Sequence, residues 1–185
     1  MAEIKVCGIA GSLRAGSYNR ALLNAAQELS PAGVRIQVFE GLREIPPFDQ
    51  DVEQRGDPEP VRALKRAIES ADALLVSSPE YNYSVPGVLK NAIDWASRPA
   101  GRSVLQGKPV AIVGATMGLW GTVRAQLALR QIFLFTESPV LLKPEVLVAQ
   151  AANRFDPSMR LTDETTRKTL RELLERLPGW VSRFR

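Results

Sequence analysis

Residues 11–19, GSLRAGSYN, collect two serine hydroxyls, a guanidinium and an amide in one turn. The segment follows an apolar run, Ile4–Ala10, and precedes a helix-like stretch, Arg20–Leu29. A plain strand-to-helix connection needs a glycine and a cap, whereas this one carries more donors than a turn consumes. Backbone N–H groups before a helix N-terminus make an anion site. Ser12, Ser17 and Asn19 add neutral donors, and Arg14 adds the loop's one positive charge. A phosphate monoester has enough acceptor oxygens to match them. The plainer reading is a tight turn with an N-cap. The loop is not a P-loop, since the Gly-Lys-Ser/Thr ending is missing, and it is not GxGxxG.

Two further segments have the same character. Ser77–Trp95, SSPEYNYSVPGVLKNAIDW, carries Pro79 to Ser84 ahead of a helix expected to begin near Pro86, where proline suits the first turn. Polar backbone with Tyr81 and Tyr83 could line a flat aromatic ligand, although ordinary loop packing would also account for two tyrosines. Gly114–Gln126, GATMGLWGTVRAQ, has three glycines that permit close backbone approach, and a hydroxyl at Thr116. Taken alone it reads equally as a glycine-rich turn. Together the three segments describe a phosphate cradle, an aromatic wall and a backbone edge. Flavin mononucleotide (FMN) offers a phosphate, a polyol and a planar ring in that order.

The remaining composition excludes most other chemistry. The 185 residues include no histidine and one cysteine, Cys7, inside the first apolar run. Ser-His-Asp and Cys-His catalysis, histidine-ligated metals, zinc knuckles, cysteine-held iron–sulfur clusters and internal disulfides are ruled out. Cys7 reads as a small buried strand residue. An enzyme built from this chain must rely on a cofactor or on a few carboxylates. The formal charge is +4, but the basic residues are scattered, with no like-charge block and no aromatic-interleaved basic motif. Nucleic acid is therefore not the expected partner, and a mild attraction for phosphorylated small molecules is. No run approaches the ~18 apolar residues of a membrane span. The N-terminus carries no basic-then-apolar leader, so a cytoplasmic protein is expected.

The elements that must position these loops alternate along the chain. Strand-like runs are Ile4–Ile9, Val34–Phe39, Ala73–Ser77, Pro109–Gly114 and Val140–Val148, the last interrupted by Pro144. Most are continuously apolar, as parallel strands covered on both faces are. Helical stripes run through Leu22, Ala25, Ala26 and Leu29; through Leu89, Ala92, Ile93 and Ala96; through Ala125, Ala128, Leu129 and Ile132; and through Leu170, Leu173, Leu174 and Leu177. A weaker stripe joins Val61, Leu64, Ile68 and Ala71. Thr162 or Asp163 is suited to cap the last helix. Ile45–Pro60, rich in proline and acid, reads as an exposed loop. This pattern predicts one domain over 1–185. It is an α/β three-layer sandwich with a five-stranded parallel sheet in the flavodoxin-like order 2-1-3-4-5, whose ligand site lies at the switch point between strands 1 and 3.

On GSLRAGSYNRAL, SPEYNYSVPGVLKNAIDWASRP and GATMGLWGTVRAQLALRQI, the chain resembles the NADPH-dependent FMN reductase family of flavodoxin-like proteins, which includes quinone, chromate and azo reductases. The likeness runs from about residue 4 to residue 150. It implies that Ser12, Arg14, Ser17 and Asn19 hold the FMN phosphate, with the Tyr18 ring nearby. It further implies that Pro79, Glu80, Tyr81, Asn82, Tyr83 and Ser84 run along the flavin ring, and that Thr116, Gly118 and Gly121 contribute a third edge. Trp120 and Thr122 stand where the family varies, and bear on substrate preference. The implied chemistry is hydride transfer from NADPH or NADH to flavin N5, then two-electron delivery to a small-molecule acceptor at the same ring face, in ping-pong order. Quinones, flavins and chromate are candidate acceptors. The resemblance also implies a homodimer or homotetramer through Leu89–Trp95 and Val123–Phe135, with Arg124 and Glu145 as a candidate ion pair. The alternatives are a flavodoxin-like electron carrier and a flavin-binding regulatory module. The basic pI argues against the carrier, since flavodoxins are acidic.

Overall fold

The computed structural model describes residues 3–184. Five strands form one parallel sheet: β1 (Ile4–Ala10), β2 (Val34–Val38), β3 (Ala73–Ser77), β4 (Val110–Ala115) and β5 (Val146–Val148). Their order is 2-1-3-4-5, as the alternating pattern predicts. The helices are α1 (Tyr18–Leu29), α2 (Gln50–Arg55), α3 (Glu59–Glu69), α4 (Gly87–Ala96), α5 (Val123–Phe135) and α6 (Glu164–Val181).

Each face of the sheet has its own core. The stripe Leu22, Ala25, Ala26 and Leu29 of α1 packs with Leu170, Leu173, Leu174 and Leu177 of α6 on one face. Val61, Leu64 and Ile68 of α3, Leu89, Ala92 and Ile93 of α4, and Leu129 and Phe133 of α5 cover the other. Full burial of one such side chain is worth about 1.5–3 kcal/mol, so the covered faces dominate the drive to this arrangement. Cys7 lies buried on β1, as expected. Asp163 caps α6 by accepting from Thr166 N at 2.8 Å.

Two expectations need correction. The stretch 45–60 is not simply exposed loop. Asn91 Nδ2 and Trp95 Nε1 of α4 donate to Pro46 O at 2.9 and 2.8 Å, Phe48 packs edge-on against Trp95, and α2 forms within the stretch. These long-range anchors leave no periodic trace. The fifth strand is also shorter than expected. Only Val146–Val148 pairs with β4, and Val140 makes one isolated bridge to Val110.

The order of strands brings the three loops together. Ala10 and Ser77 are register partners at the carboxyl ends of β1 and β3, and Gly11 N donates to Ser77 O at 2.8 Å. Ser78 N donates to Val113 O of β4 at 3.0 Å. The segments after β1, β3 and β4 therefore leave the same sheet edge side by side. Among the described residues, no helix is long and apolar enough to cross a membrane.

Candidate functional site

In the loop after β1, Ser17 is the N-cap of α1, its Oγ accepting from Arg20 N at 3.3 Å. The next two amides, of Tyr18 and Asn19, meet no acceptor among the described residues, as the first turn of a helix requires. Ser12 Oγ lies 3.4 Å from Tyr81 Oη, joining this loop to the next. Arg14 turns back over its own loop, donating to Gly16 O at 2.6 Å, with its guanidinium 5.8 Å from the centroid of the Tyr18 ring. That ring packs in turn against Phe155. Arg14 is not the only cation at hand. Arg20, paired with Glu40, and Arg43, which donates to Leu13 O at 2.6 Å, line a cavity of about 450 Å³ beside the loop. Arg43 lies far along the sequence, so local reading misses it.

Asn19 corrects an expectation. Its Nδ2 donates to Ala115 O at 2.8 Å, and its Oδ1 accepts from Ala115 N at 2.9 Å and Ser77 Oγ at 3.1 Å. The side chain is 3% exposed. It clamps the start of α1 to the ends of β3 and β4, and what it leaves for a ligand is its backbone N–H.

After β3, Tyr81 and Ser84 exchange backbone bonds of 3.1 and 3.0 Å across Asn82 and Tyr83, whose φ values are 49° and 66°. This is a two-residue turn of the primed kind, with both central residues left-handed. Asparagine tolerates that region, but tyrosine rarely enters it. The turn leaves Tyr81 half exposed and Tyr83 72% exposed. The Glu80 side chain is engaged within the protein. Its carboxylate faces the start of α5, accepting from Arg124 N at 2.9 Å and Arg124 Nη1 at 2.8 Å. Glu145 pairs instead with Lys143 at 2.9 Å and Arg130 at 3.7 Å, so the expected Arg124–Glu145 pair does not form within the chain.

After β4, Thr116 Oγ1 accepts from Gly118 N at 3.3 Å, and a Cβ on Gly118 would meet nothing nearer than that hydroxyl at 3.8 Å. Gly121 has a reason within the protein to be glycine. Its φ is +56°, and a Cβ there would stand 2.8 Å from the Leu147 backbone of β5. Trp120 is 65% exposed at the rim.

The donor chemistry of these loops fits FMN. Open amides at Tyr18 and Asn19, with Ser12, Ser17 and Arg14, suit a dianionic phosphate. The turn at 81–84 and the 116–118 backbone suit the ring. Cys7 lies outside this constellation; burial pushes its thiol up to about 11, partly offset by the positive charge of Lys108. Burial likewise holds the Lys108 amine below its ordinary value. Among the described residues there is no acidic, cysteine or histidine cluster able to hold a metal ion.

A parallel 2-1-3-4-5 sheet with donor-rich loops over its switch point defines the chain as flavodoxin-like. Residues 4–153 match the model of the NADPH-dependent FMN reductase family, and the protein belongs to that family. It is 48% identical over 183 residues to an NAD(P)H-dependent FMN reductase of Pseudomonas aeruginosa, covering 99% of this chain and 98% of that one. It is 42% identical to a quinone reductase of Escherichia coli, covering 98% of this chain and 94% of the other. Among solved structures it is similar to FerB, a flavoenzyme NAD(P)H:(acceptor) oxidoreductase from Paracoccus denitrificans. There the TM-score is 0.88 at 34% identity, with 98% of both chains covered.

Proposed function

We propose that this protein oxidises NADPH or NADH and passes two electrons through FMN to a quinone, with free flavin and chromate as further acceptors. When bound, FMN supplies the hydride-accepting and electron-donating chemistry that the side chains lack. The chain's own tasks are to hold and to orient. Ser12, Arg14, Ser17 and the amides of Tyr18 and Asn19 bind the phosphate. The Tyr81–Ser84 turn and residues 116–118 lie along the ring. Backbone N–H groups of those segments stabilise negative charge near the ring without needing a titrating side chain. Donor and acceptor use one open face of the bound ring in turn, which gives ping-pong kinetics, in line with what the family resemblance implies.

The observation that carries this reading is the convergence of all three loops on one sheet edge in a chain of this family. The relatives named quinone reductases favour quinones over the other acceptors. The deciding experiment is a steady-state panel on FMN-loaded protein, with NADPH and NADH each against benzoquinone, FMN and chromate. Parallel lines in double-reciprocal plots are expected with the quinone. Intersecting lines would overturn the single-face scheme. Stoichiometric FMN with no nicotinamide turnover would instead favour an electron carrier or a regulatory module.

A further inference from the structure

Helix α5 lacks a cap of its own. Thr122, at its N-cap, has φ 67° and makes no side-chain cap bond. The cap comes from 44 residues upstream: Glu80 Oε2 accepts from Arg124 N at 2.9 Å and Ala125 N at 3.3 Å. Glu80 Oε1 takes the Arg124 guanidinium at 2.8 Å. The carboxylate thus meets a helix N-terminus and a cation together, and both favour its charge. The guanidinium is itself held between two rings. It lies 3.9 Å from the Tyr83 centroid and 5.3 Å from the Trp120 centroid. Glu80 and Tyr83 belong to the segment after β3, and Trp120 and Arg124 to the segment after β4. One ion pair therefore buckles together the two loops that face the ring, next to three residues in left-handed backbone, Asn82, Tyr83 and Thr122.

We propose that Glu80 is a positioning residue. With Arg124 it fixes the separation between the 81–84 turn and the 116–122 loop, and so sets the width of the crevice that receives the flavin ring. This rests on the assignment of the ring to those two loops. Glu80 need not touch the flavin, because both its oxygens are engaged within the protein.

The buckle acts on the ring end alone, which separates it from the phosphate loop. In flavin-free protein, E80A should weaken FMN and riboflavin by the same factor, roughly tenfold, or 1.4 kcal/mol of binding free energy. E80Q keeps an acceptor for the two amides but turns an NH2 toward the Arg124 guanidinium, so it should recover only part of that loss. R124A leaves the amides capped and should again weaken both flavins equally, which serves if E80A folds poorly. Amide hydrogen exchange gives a reading that needs no flavin: E80A should accelerate both 81–84 and 116–124. Unchanged riboflavin and FMN affinities in folded E80A and R124A would overturn the proposal, as would acceleration confined to α5. Failure of the ring assignment looks different. Flavin would then leave 81–84 and 116–122 unprotected in the parent, whatever the variants do.

Discussion

Arg14 already has a partner in the protein, the Gly16 carbonyl at 2.6 Å, so its hold on a phosphate must outcompete a local bond. A charge-assisted hydrogen bond is worth about 1.5–3 kcal/mol, and Arg14→Ala should weaken FMN by roughly that much. Riboflavin, lacking the phosphate, should bind the variant as it binds the parent. Equal loss for both ligands in a fluorescence titration would place Arg14 away from the phosphate. Cys7 shows the opposite case, a reactive group type kept inert by its surroundings. Its thiol rises from an ordinary 9.0 to about 11 in the folded chain, so between those values the unfolded state has lost a proton that the native state keeps. Stability must then fall with rising pH in that window, by about 1.4 kcal/mol per unit from this group. Lys108, with its amine held low, works in the other direction just below its ordinary value. Cys7→Ala should lose some stability at every pH through the deleted volume, yet fall less steeply above about pH 9. Denaturant unfolding of both proteins across that range checks this, and parallel curves would contradict it. Turnover per bound FMN should be unchanged in the variant, because Cys7 lies outside the three loops.

At the scale of elements, Asn19 and Gly114 show how the strand ends are locked beneath the site. Asn19 makes three buried hydrogen bonds that tie α1 to β3 and β4. Asn19→Ala should cost about 2–4 kcal/mol of stability, from bonds lost and a carbonyl and an amide left unpaired. Gly114 lies where β4 passes Ser78 and Thr122. A Cβ there would stand 2.0 Å from Thr122 Oγ1 and 2.5 Å from the Ser78 carbonyl. Thr122 is fully buried and the carbonyl belongs to the backbone, so neither yields easily. Gly114→Ala should therefore destabilise by about 1–3 kcal/mol or more, read by urea unfolding. These two positions also mark what was legible in the sequence. The sheet order, both helix layers and the three converging loops follow from apolar runs and helical stripes, which are local. Asn19 as a clamp, Glu80 as the cap of α5 and Arg43 beside the first loop depend on partners far along the chain, and composition carries no record of them. Glu80 was legible as a polar residue beside a tyrosine pair, but not as one whose carboxylate turns away toward a helix. The left-handed pair Asn82-Tyr83 was half legible: asparagine announces such a turn, and tyrosine does not.

At the scale of the whole molecule, α5 is apolar on more sides than one chain can cover. Its inner residues Leu129 and Phe133 are buried in the core, yet Leu127 and Leu134 face outward and Phe135 is 90% exposed. Beside them, between α4 and α5, runs a groove of about 400 Å³ lined by Ile93, Ala128, Ile132 and Phe135, with Lys90 and Asp94 on its α4 side. A protruding aromatic next to a groove made from the same two helices is self-complementary. A two-fold axis would set each Phe135 into the partner's groove, and would let the Lys90 and Asp94 of one chain face the Asp94 and Lys90 of the other. Scattered exposed apolar residues need no explanation, whereas Leu127, Leu134 and Phe135 gather on one side of α5, around the exposed Gln131. We therefore propose a homodimer through α4 and α5, in line with what the family resemblance implies. A tetramer would pair Arg124 and Glu145 across a second interface, beside the contacts each already makes with Glu80 and Lys143 within the chain. Light scattering should give twice the 20.3 kDa of one chain for the parent. Phe135→Asp, together with Leu134→Lys, should shift it to the single-chain mass while far-ultraviolet circular dichroism is retained, because both side chains lie outside the core. A parent of single-chain mass with full activity would remove the dimer. A double variant that stays dimeric would move the interface away from this face.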